Sequence, residues 1–227
     1  MDQDTILLIL RGIIMKRLQV VLILAILLTP VLTVGTAGAD TFKNYFASIM
    51  LDGKKIGHVQ YTARHDSEGT LQELKTRASL SILGFEVYHH TLHTHEFWEA
   101  DEMKHLWGNS NEDGTAYEMD LTRTHGEYVG TLNNQLIKLP ANSFPTAVWH
   151  YAITEHAQLF SIPEFRLLNV KVKKVPDAVL IGNKKIPAEK FAFSGDWKAT
   201  VWFGLDKQFL KWEHKVKGKK VVVLLDP

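Results

Sequence analysis

From Asp40 onwards the chain consists of short runs in which apolar and polar residues alternate, separated by turn residues. Alternation with a period of two is typical of strands with one buried face, and helical periodicity is scarce here. Asp52-Gly53, between the runs Thr41–Leu51 and Lys54–His65, is the two-residue signal of a type I′ hairpin. About a dozen such runs in succession predict an antiparallel sheet rolled into a barrel or half-barrel.

One segment departs from this rhythm. Asn142–Gln158 opens with Asn-Ser followed by Pro, the composition of a helix N-terminus. It predicts one short helix, from about Thr146, packed on the sheet. A mainly β barrel that its side chains cannot fill encloses a cavity, which would suit a ligand-binding protein.

The N-terminal region predicts export. Residues 15–39 have a positively charged start, an apolar stretch at Leu18–Val34 and an A-x-A cleavage motif ending at Ala39, which together indicate a signal peptide. Residues 1–14 do not fit that pattern, and we interpret them as a non-native upstream extension. We expect residues 40–227 to form a single β domain that is periplasmic or secreted. After cleavage we expect no stable membrane span.

Composition excludes several classes of function. The chain has no cysteine, so disulfides, thiol catalysis and thiolate metal sites are excluded. Three of its 26 basic and two of its 25 acidic residues precede the predicted cut, so the remainder is formally neutral. A neutral domain has no bulk attraction to nucleic acid, and we predict no nucleic-acid partner. We predict no cofactor either, and oligomeric state stays open.

Histidines are concentrated in the segment YHHTLHTHEFW, Tyr88–Trp98. On a strand, His89, His93 and His95 share one face, whereas His90 shares the other with Glu96 and Trp98. His93 and His95 have the H-x-H spacing that lets a strand offer two imidazoles to one metal.

Three readings of this segment stay open. The metal hypothesis takes His89, His93 and His95 as ligands and requires another His, Asp or Glu near His93 and His95, which we do not expect to find. A pH-responsive cluster is the second reading, because neighbouring imidazoles depress one another's protonation. The third, which we favour, is an ordinary strand with polar and aromatic side chains.

Six tryptophans lie in or beside the predicted elements. Trp98, Trp149 and Trp202 are candidate ligand-binding residues if they line an apolar cavity. The alternative is that they form a packed core. Enzyme signatures such as G-x-S-x-G, a P-loop or H-E-x-x-H are absent, so we predict no catalytic residues and lean away from an enzyme.

Four stretches carry a family resemblance: LDGKKIGHVQY, FEVYHHTLHTHEFWEADEMKHLWGNSNEDGTAYE, LPANSFPTAVWHY and FSGDWKATVWFGLDKQFLKWEHKVKGKKVVVLL. Together they resemble an uncharacterised domain-of-unknown-function family of exported bacterial β proteins. The resemblance implies an antiparallel β fold in the envelope, brings no established activity, and makes Glu96 and Trp98 part of a structural E-x-W pattern. The late W-[FY]-D pattern differs here, since Asp206 stands two positions further on.

The sequence therefore predicts an exported envelope protein whose most plausible role is a non-catalytic binding module for an apolar or amphipathic ligand. A lipid or another apolar small molecule is the expected partner. One alternative is a metal-binding protein or metalloenzyme centred on the His-x-His strand. The other is an envelope scaffold that binds a partner protein through an exposed strand edge.

Overall fold

The computed structural model describes residues 41–216 and 218–227. The predicted extension 1–14 and signal peptide 15–39 lie outside the described residues, so those boundaries stay predictions. Within the described part, no helix is long and apolar enough to span a bilayer.

The described chain is almost entirely strand. The strands, in chain order, are β1 (Thr41–Leu51), β2 (Lys54–His65), β3 (Thr70–Ile82), β4 (Phe85–Glu99), β5 (Glu102–Glu112), β6 (Thr115–Arg123), β7 (Glu127–Leu132), β8 (Gln135–Pro140), β9 (Phe144–Pro145), β10 (Gln158–Phe160), β11 (Leu167–Ile181), β12 (Lys184–Gly195), β13 (Ala199–Gly204), β14 (Phe209–Val216) and β15 (Lys219–Leu225).

The turn chemistry accounts for the first hairpin. Asp52 and Gly53 have φ of 47° and 84°, the two positive values that a type I′ turn requires, and β1 and β2 pair as the sequence predicts. Further along, Leu167–Ile181 forms the single long strand β11, which pairs with β12 without a register shift.

All fifteen strands belong to one sheet in the order β8-β7-β6-β5-β4-β3-β2-β1-β15-β14-β13-β12-β11-β10-β9. Neighbours are antiparallel except β9 and β10, which are parallel. The sheet is open, because β8 and β9 are its two edges. Yet only residues 141–143 join the end of β8 to the start of β9, so Pro140 and Phe144 lie within about 14 Å of each other.

A side-chain contact also shows that the sheet curves so that its two ends approach each other. The rings of Tyr128 on β7 and Phe160 on β10 lie 5.5 Å apart, although β7 and β10 are near opposite ends of the strand order. The predicted mainly β sheet, rolled into a half-barrel, is therefore confirmed. We call the face that surrounds the main core the inner face and the opposite one the outer face.

The predicted short helix is present but differs in type and start. A 3₁₀ helix at Tyr151–Glu155 buries Ala152 and Ile153 against the sheet, and the ring of Tyr151 packs edge-on against Phe203 at 5.2 Å. The segment before it is occupied by β9 and by tight turns, because the chain crosses from one sheet edge to the other there. A regular helix therefore does not begin near Thr146.

Two apolar clusters hold the sheet. The main one lies on the inner face and includes the fully buried Trp98, Tyr128, Phe160 and Phe203. A smaller one comprises Val179, Ile181, Ala188, Trp202 and Leu210, with Ile186, Leu224 and Leu225 packed beside it. Along β13, Trp202 belongs to the smaller cluster while Val201 and Phe203 belong to the main one, so the two clusters lie on opposite faces.

Candidate functional site

The outer face of β3 and β4 carries a cluster of polar side chains. Pairing places Glu73 opposite His95 and Lys75 opposite His93. Nε2 of His93 lies 2.7 Å from Oε1 of Glu73, and Nε2 of His95 lies 4.0 Å from the same oxygen. One donor atom from each of Glu73, His93 and His95 lies within 4.8 Å of the other two. We call these three residues the outer triad.

Charges around the outer triad are coupled. The Nζ of Lys75 lies 2.7 Å from Oε1 of Glu73, and this hydrogen bond, with that from His93, holds the pKa of Glu73 below its ordinary value. Partial burial lowers the pKa of His95, and repulsion from His93 lowers it further. The carboxylate is therefore ionised at neutral pH and the His95 imidazole favours its neutral form, the state that binds a metal.

Aromatic stacking fixes the position of His95. Trp107 on β5 stacks on His95 at 5.1 Å and on His105 at 4.5 Å. Nε2 of His105 lies 3.1 Å from Oδ1 of Asp120 on β6. A continuous row of side chains across three strands thus supports one edge of the outer triad.

A glycine lets β5 approach β4 beside this row. Gly108 has φ of +153°, and a Cβ at this position would collide with the backbone carbonyl of His93. Any larger residue would push the two strands apart next to His93.

The predicted ligand set is only partly assembled. His93 and His95 come together, and the expectation that no other His, Asp or Glu lies near them is wrong, because Oε1 of Glu73 lies 2.7 Å from His93 and 4.0 Å from His95. His89 is on the same face of β4 but outside the outer triad: it is opposite Ser79, and its Nδ1 lies 3.7 Å from Glu86. The sequence alone does not reveal Glu73, because its proximity to the two histidines depends on the register between β3 and β4.

The inner face of β4 has a different character. Nε1 of Trp98 donates a hydrogen bond to Oε2 of Glu96 at 2.9 Å, and both residues are buried. Burial raises the pKa of Glu96 to about 7. Trp98 also stacks on His150 at 4.3 Å, and burial lowers the pKa of that histidine. This pair is the E-x-W pattern, and its contacts are those of a core.

The three predicted tryptophans do not converge on one cavity. Trp98 is in the main core. Trp149 stacks on Tyr61 at 5.5 Å and lies 4.1 Å from Phe209, also against the main core. Trp202 lies in the smaller cluster, where its Nε1 donates to Asp177 at 3.0 Å, and it borders a cavity of about 300 Å³.

A larger opening lies elsewhere. It is an open groove of about 1120 Å³ between β1, the β11–β12 turn, the β13–β14 turn and the end of β15, and we call it the groove. Its apolar lining residues are Tyr45, Phe46, Ile181, Ile186, Pro187, Leu205, Leu210, Leu225 and Pro227. Four of these, Ile181, Ile186, Leu210 and Leu225, are also part of the smaller apolar cluster.

The rim of the groove combines exposed apolar and polar groups. Phe46 and Leu205 are 48% and 72% exposed, so their side chains are available for contact. Asn44, Asn183, Lys184, Asp206, Gln208 and Asp226 supply polar groups of both charges. Sequence patterns could not have located the groove, because its walls come from segments far apart in the chain.

A model of the domain-of-unknown-function family DUF6134 matches residues 48–226. The chain belongs to the DUF6134 family. This confirms the predicted membership of an uncharacterised family of β proteins. The DUF6134 match spans the outer triad and all the groove lining except Asn44, Tyr45, Phe46 and Pro227. No curated protein matches the chain significantly.

The DUF6134 fold has a relative among solved structures. A β-barrel-like protein of the domain of unknown function DUF1849 from Brucella abortus, known from its crystal structure, aligns with a TM-score of 0.58 over 80% of this chain and 94% of that chain. The two sequences are 14% identical, so the likeness shows a shared fold.

Proposed function

We propose that this DUF6134 protein is exported to the cell envelope and acts there as a non-catalytic binding module for one apolar or amphipathic molecule, held in the groove. Export rests on the signal pattern of residues 15–39. The observation that carries the binding role is the groove itself, which combines a volume of about 1120 Å³ with an apolar floor and with exposed Phe46 and Leu205 at its rim.

The groove matches the general chemistry of ligand sites. Such sites are concave and mostly apolar, with a few polar groups that orient the ligand, and have volumes of roughly 300–1,000 Å³. Here the floor is Ile181, Ile186, Leu210 and Leu225. A single acyl chain can lie on this floor while its polar end meets side chains such as Asn183 and Lys184 at the rim.

The position of the groove also favours binding over structural packing. The floor of the groove belongs to the smaller apolar cluster, whereas the main core, with Phe160 and Phe203 fully buried, lies on the other face of the sheet. The side chains of Phe46 and Leu205, both at the rim of the groove, are exposed to solvent. Exposed apolar groups around a concavity are a feature of interaction sites.

The test begins with native mass spectrometry of the protein purified from its own envelope after expression of the full-length chain. We expect a polypeptide that begins at Asp40 and carries one bound amphiphile. Delipidated protein should then bind palmitate saturably. This binding is measured by the displacement of a fluorescent fatty acid. A protein that retains residues 15–39 and stays in the cytosol would contradict export.

Two substitutions test the groove itself. Leu205→Asp and Phe46→Asp place negative charges at the rim, and each should weaken palmitate binding at least about tenfold, since each removes apolar contact and repels the palmitate carboxylate. Leu136→Asp is a matched control, because Leu136 on β8 is 68% exposed and lies outside the groove. Equal weakening by Leu136→Asp, or the absence of saturable binding, would refute the proposal.

A further inference from the structure

The outer triad lies on a different set of strands from the groove, and its side chains have their own chemistry. Two imidazole nitrogens and a carboxylate oxygen converge on one point of the outer face, within 4.8 Å of one another. We infer that Glu73, His93 and His95 form a binding site for one divalent transition-metal ion of the Zn²⁺ type.

Donor geometry fits such an ion after small movements. Bonds of about 2.0–2.2 Å in a tetrahedral arrangement require donor atoms to lie about 3.4 Å apart. The separations from Oε1 of Glu73 are 2.7 Å to His93 and 4.0 Å to His95. Side-chain movements of less than about an ångström bring these two pairs to the required distance. The two imidazole donors, within 4.8 Å of each other, need to approach by at most about 1.4 Å, with the backbone register unchanged.

Donor types restrict the choice of metal. Two imidazoles and one carboxylate suit Zn²⁺, Cu²⁺, Ni²⁺ and Fe²⁺, whereas Ca²⁺ and Mg²⁺ prefer all-oxygen sites. The triad side chains are 39%, 27% and 28% exposed for His93, His95 and Glu73, so the site opens to solvent. Three protein ligands with solvent access leave a fourth position for water.

Neighbouring side chains restrict the ring of His95 and compete for the carboxylate of Glu73. Trp107, held between His95 and His105, restricts the His95 ring, and Asp120 in turn fixes His105. Support of this kind around a metal ligand raises affinity. The ammonium of Lys75 contacts the same Glu73 oxygen that a metal would use, but it is half-exposed and can turn into solvent when the ion binds.

The competition by Lys75 provides a signature that an ordinary surface ion pair would not give. If the metal displaces Lys75 from Glu73, Lys75→Gln removes a competitor and should tighten Zn²⁺ binding severalfold. If Glu73 serves only the ion pair with Lys75, the same substitution leaves metal binding unchanged.

The experiment is isothermal titration calorimetry of the chelator-stripped protein with Zn²⁺ at pH 7.5. We expect one ion per chain and a Kd raised at least about tenfold by each of Glu73→Gln, His93→Gln and His95→Gln. His89→Gln is the matched control, on the same face of β4 but outside the outer triad, and should bind as the wild type does. Co²⁺ absorption reports the coordination, and the change in tryptophan fluorescence on metal binding that is lost in Trp107→Phe reports the contact with His95.

Three outcomes would overturn the inference: no stoichiometric binding, loss of binding in His89→Gln equal to that in His95→Gln, or unchanged affinity in either Glu73→Gln or Lys75→Gln. Circular dichroism of each variant ensures that changes in affinity are measured on folded protein. The result is independent of the groove, since palmitate binding is expected to be unaffected by any of these substitutions.

Discussion

The two faces of β4 carry similar residue types in opposite environments. On the inner face, Glu96 and Trp98 are sealed together in the main core. On the outer face, His93 and His95 share the Glu73 carboxylate and stay partly open to solvent. Successive side chains on this strand point to opposite faces, so a polar residue belongs to the core or to an accessible site according to the face on which it lies.

The pair of glutamates sharpens the contrast. Burial raises the pKa of Glu96 to about 7, whereas the hydrogen bond from Lys75 lowers the pKa of Glu73. The first environment favours the neutral acid and the second the carboxylate. Of these two glutamates, Glu73 on the outer face is the one that favours a negative charge at neutral pH, which is what a cation site needs.

The largest expected effect tests the packing of the inner face. Trp98→Ala removes a fully buried ring that stacks on His150 and donates to Glu96, and it should lower the free energy of unfolding by about 3–5 kcal/mol. Urea denaturation followed by far-UV circular dichroism measures the loss. The control is Trp107→Ala on the outer face, where the ring is only partly buried, and a loss equal to that of Trp98→Ala would show that the faces are packed alike.

The second expected effect is a decrease in folding stability as the pH rises, caused by the ionisation of Glu96. The pKa of Glu96 is higher in the folded protein than its ordinary value of 4.5, so the folded state binds more protons than the unfolded state between about pH 4.5 and 7. The stability contributed by protonated Glu96 is therefore full below pH 4.5 and lost as the pH rises through 7. Between pH 5 and 8 the loss should be about 2–3 kcal/mol.

Glu96→Gln should abolish that dependence, because the amide keeps an acceptor for Trp98 and cannot ionise. The difference in unfolding free energy between wild type and variant, measured in urea with a chelator present at pH 5 and pH 8, isolates this group. Glu73→Gln serves as the control: the pKa of Glu73 is lowered, so its contribution is present at both pH values and is lost only under more acidic conditions. A wild type whose difference from Glu96→Gln does not change with pH would show that Glu96 is hydrated.

The sequence was sufficient to predict much of the contrast between the faces. Alternation along β4 separates His93 and His95 from Glu96 and Trp98, and Asp52-Gly53 predicts the first hairpin because the turn needs φ values that these residues tolerate. These two features depend on local periodicity and local turn chemistry, which a single sequence contains. The structural E-x-W pair is implied by the family resemblance, and both of its side chains are buried.

The outer triad could not be predicted from the sequence, because it depends on one β-bulge that changes the register between β3 and β4. The hairpin pairs Ile82 with Phe85, and an unbroken ladder from that turn would place Glu73 opposite Thr94, on the inner side. The register shifts by one residue between Leu80 and Ser81, and this shift brings Glu73 opposite His95. No residue signal in the hairpin marks the shift.

The smallest expected effect tests the open character of the outer face. Asp120 contacts His105 at 3.1 Å, but their side chains are 59% and 37% exposed, so solvent screens the pair. Asp120→Asn should change the free energy of unfolding by less than about 1 kcal/mol, with the change shrinking further in 0.5 M salt. Urea denaturation at low and high salt measures both. A loss above about 2 kcal/mol that is independent of salt would mean that the row from Asp120 to His95 is packed as tightly as the core around Trp98. The outer triad would then be a rigid part of the fold, and the difference between the two faces of β4 would be one of composition alone.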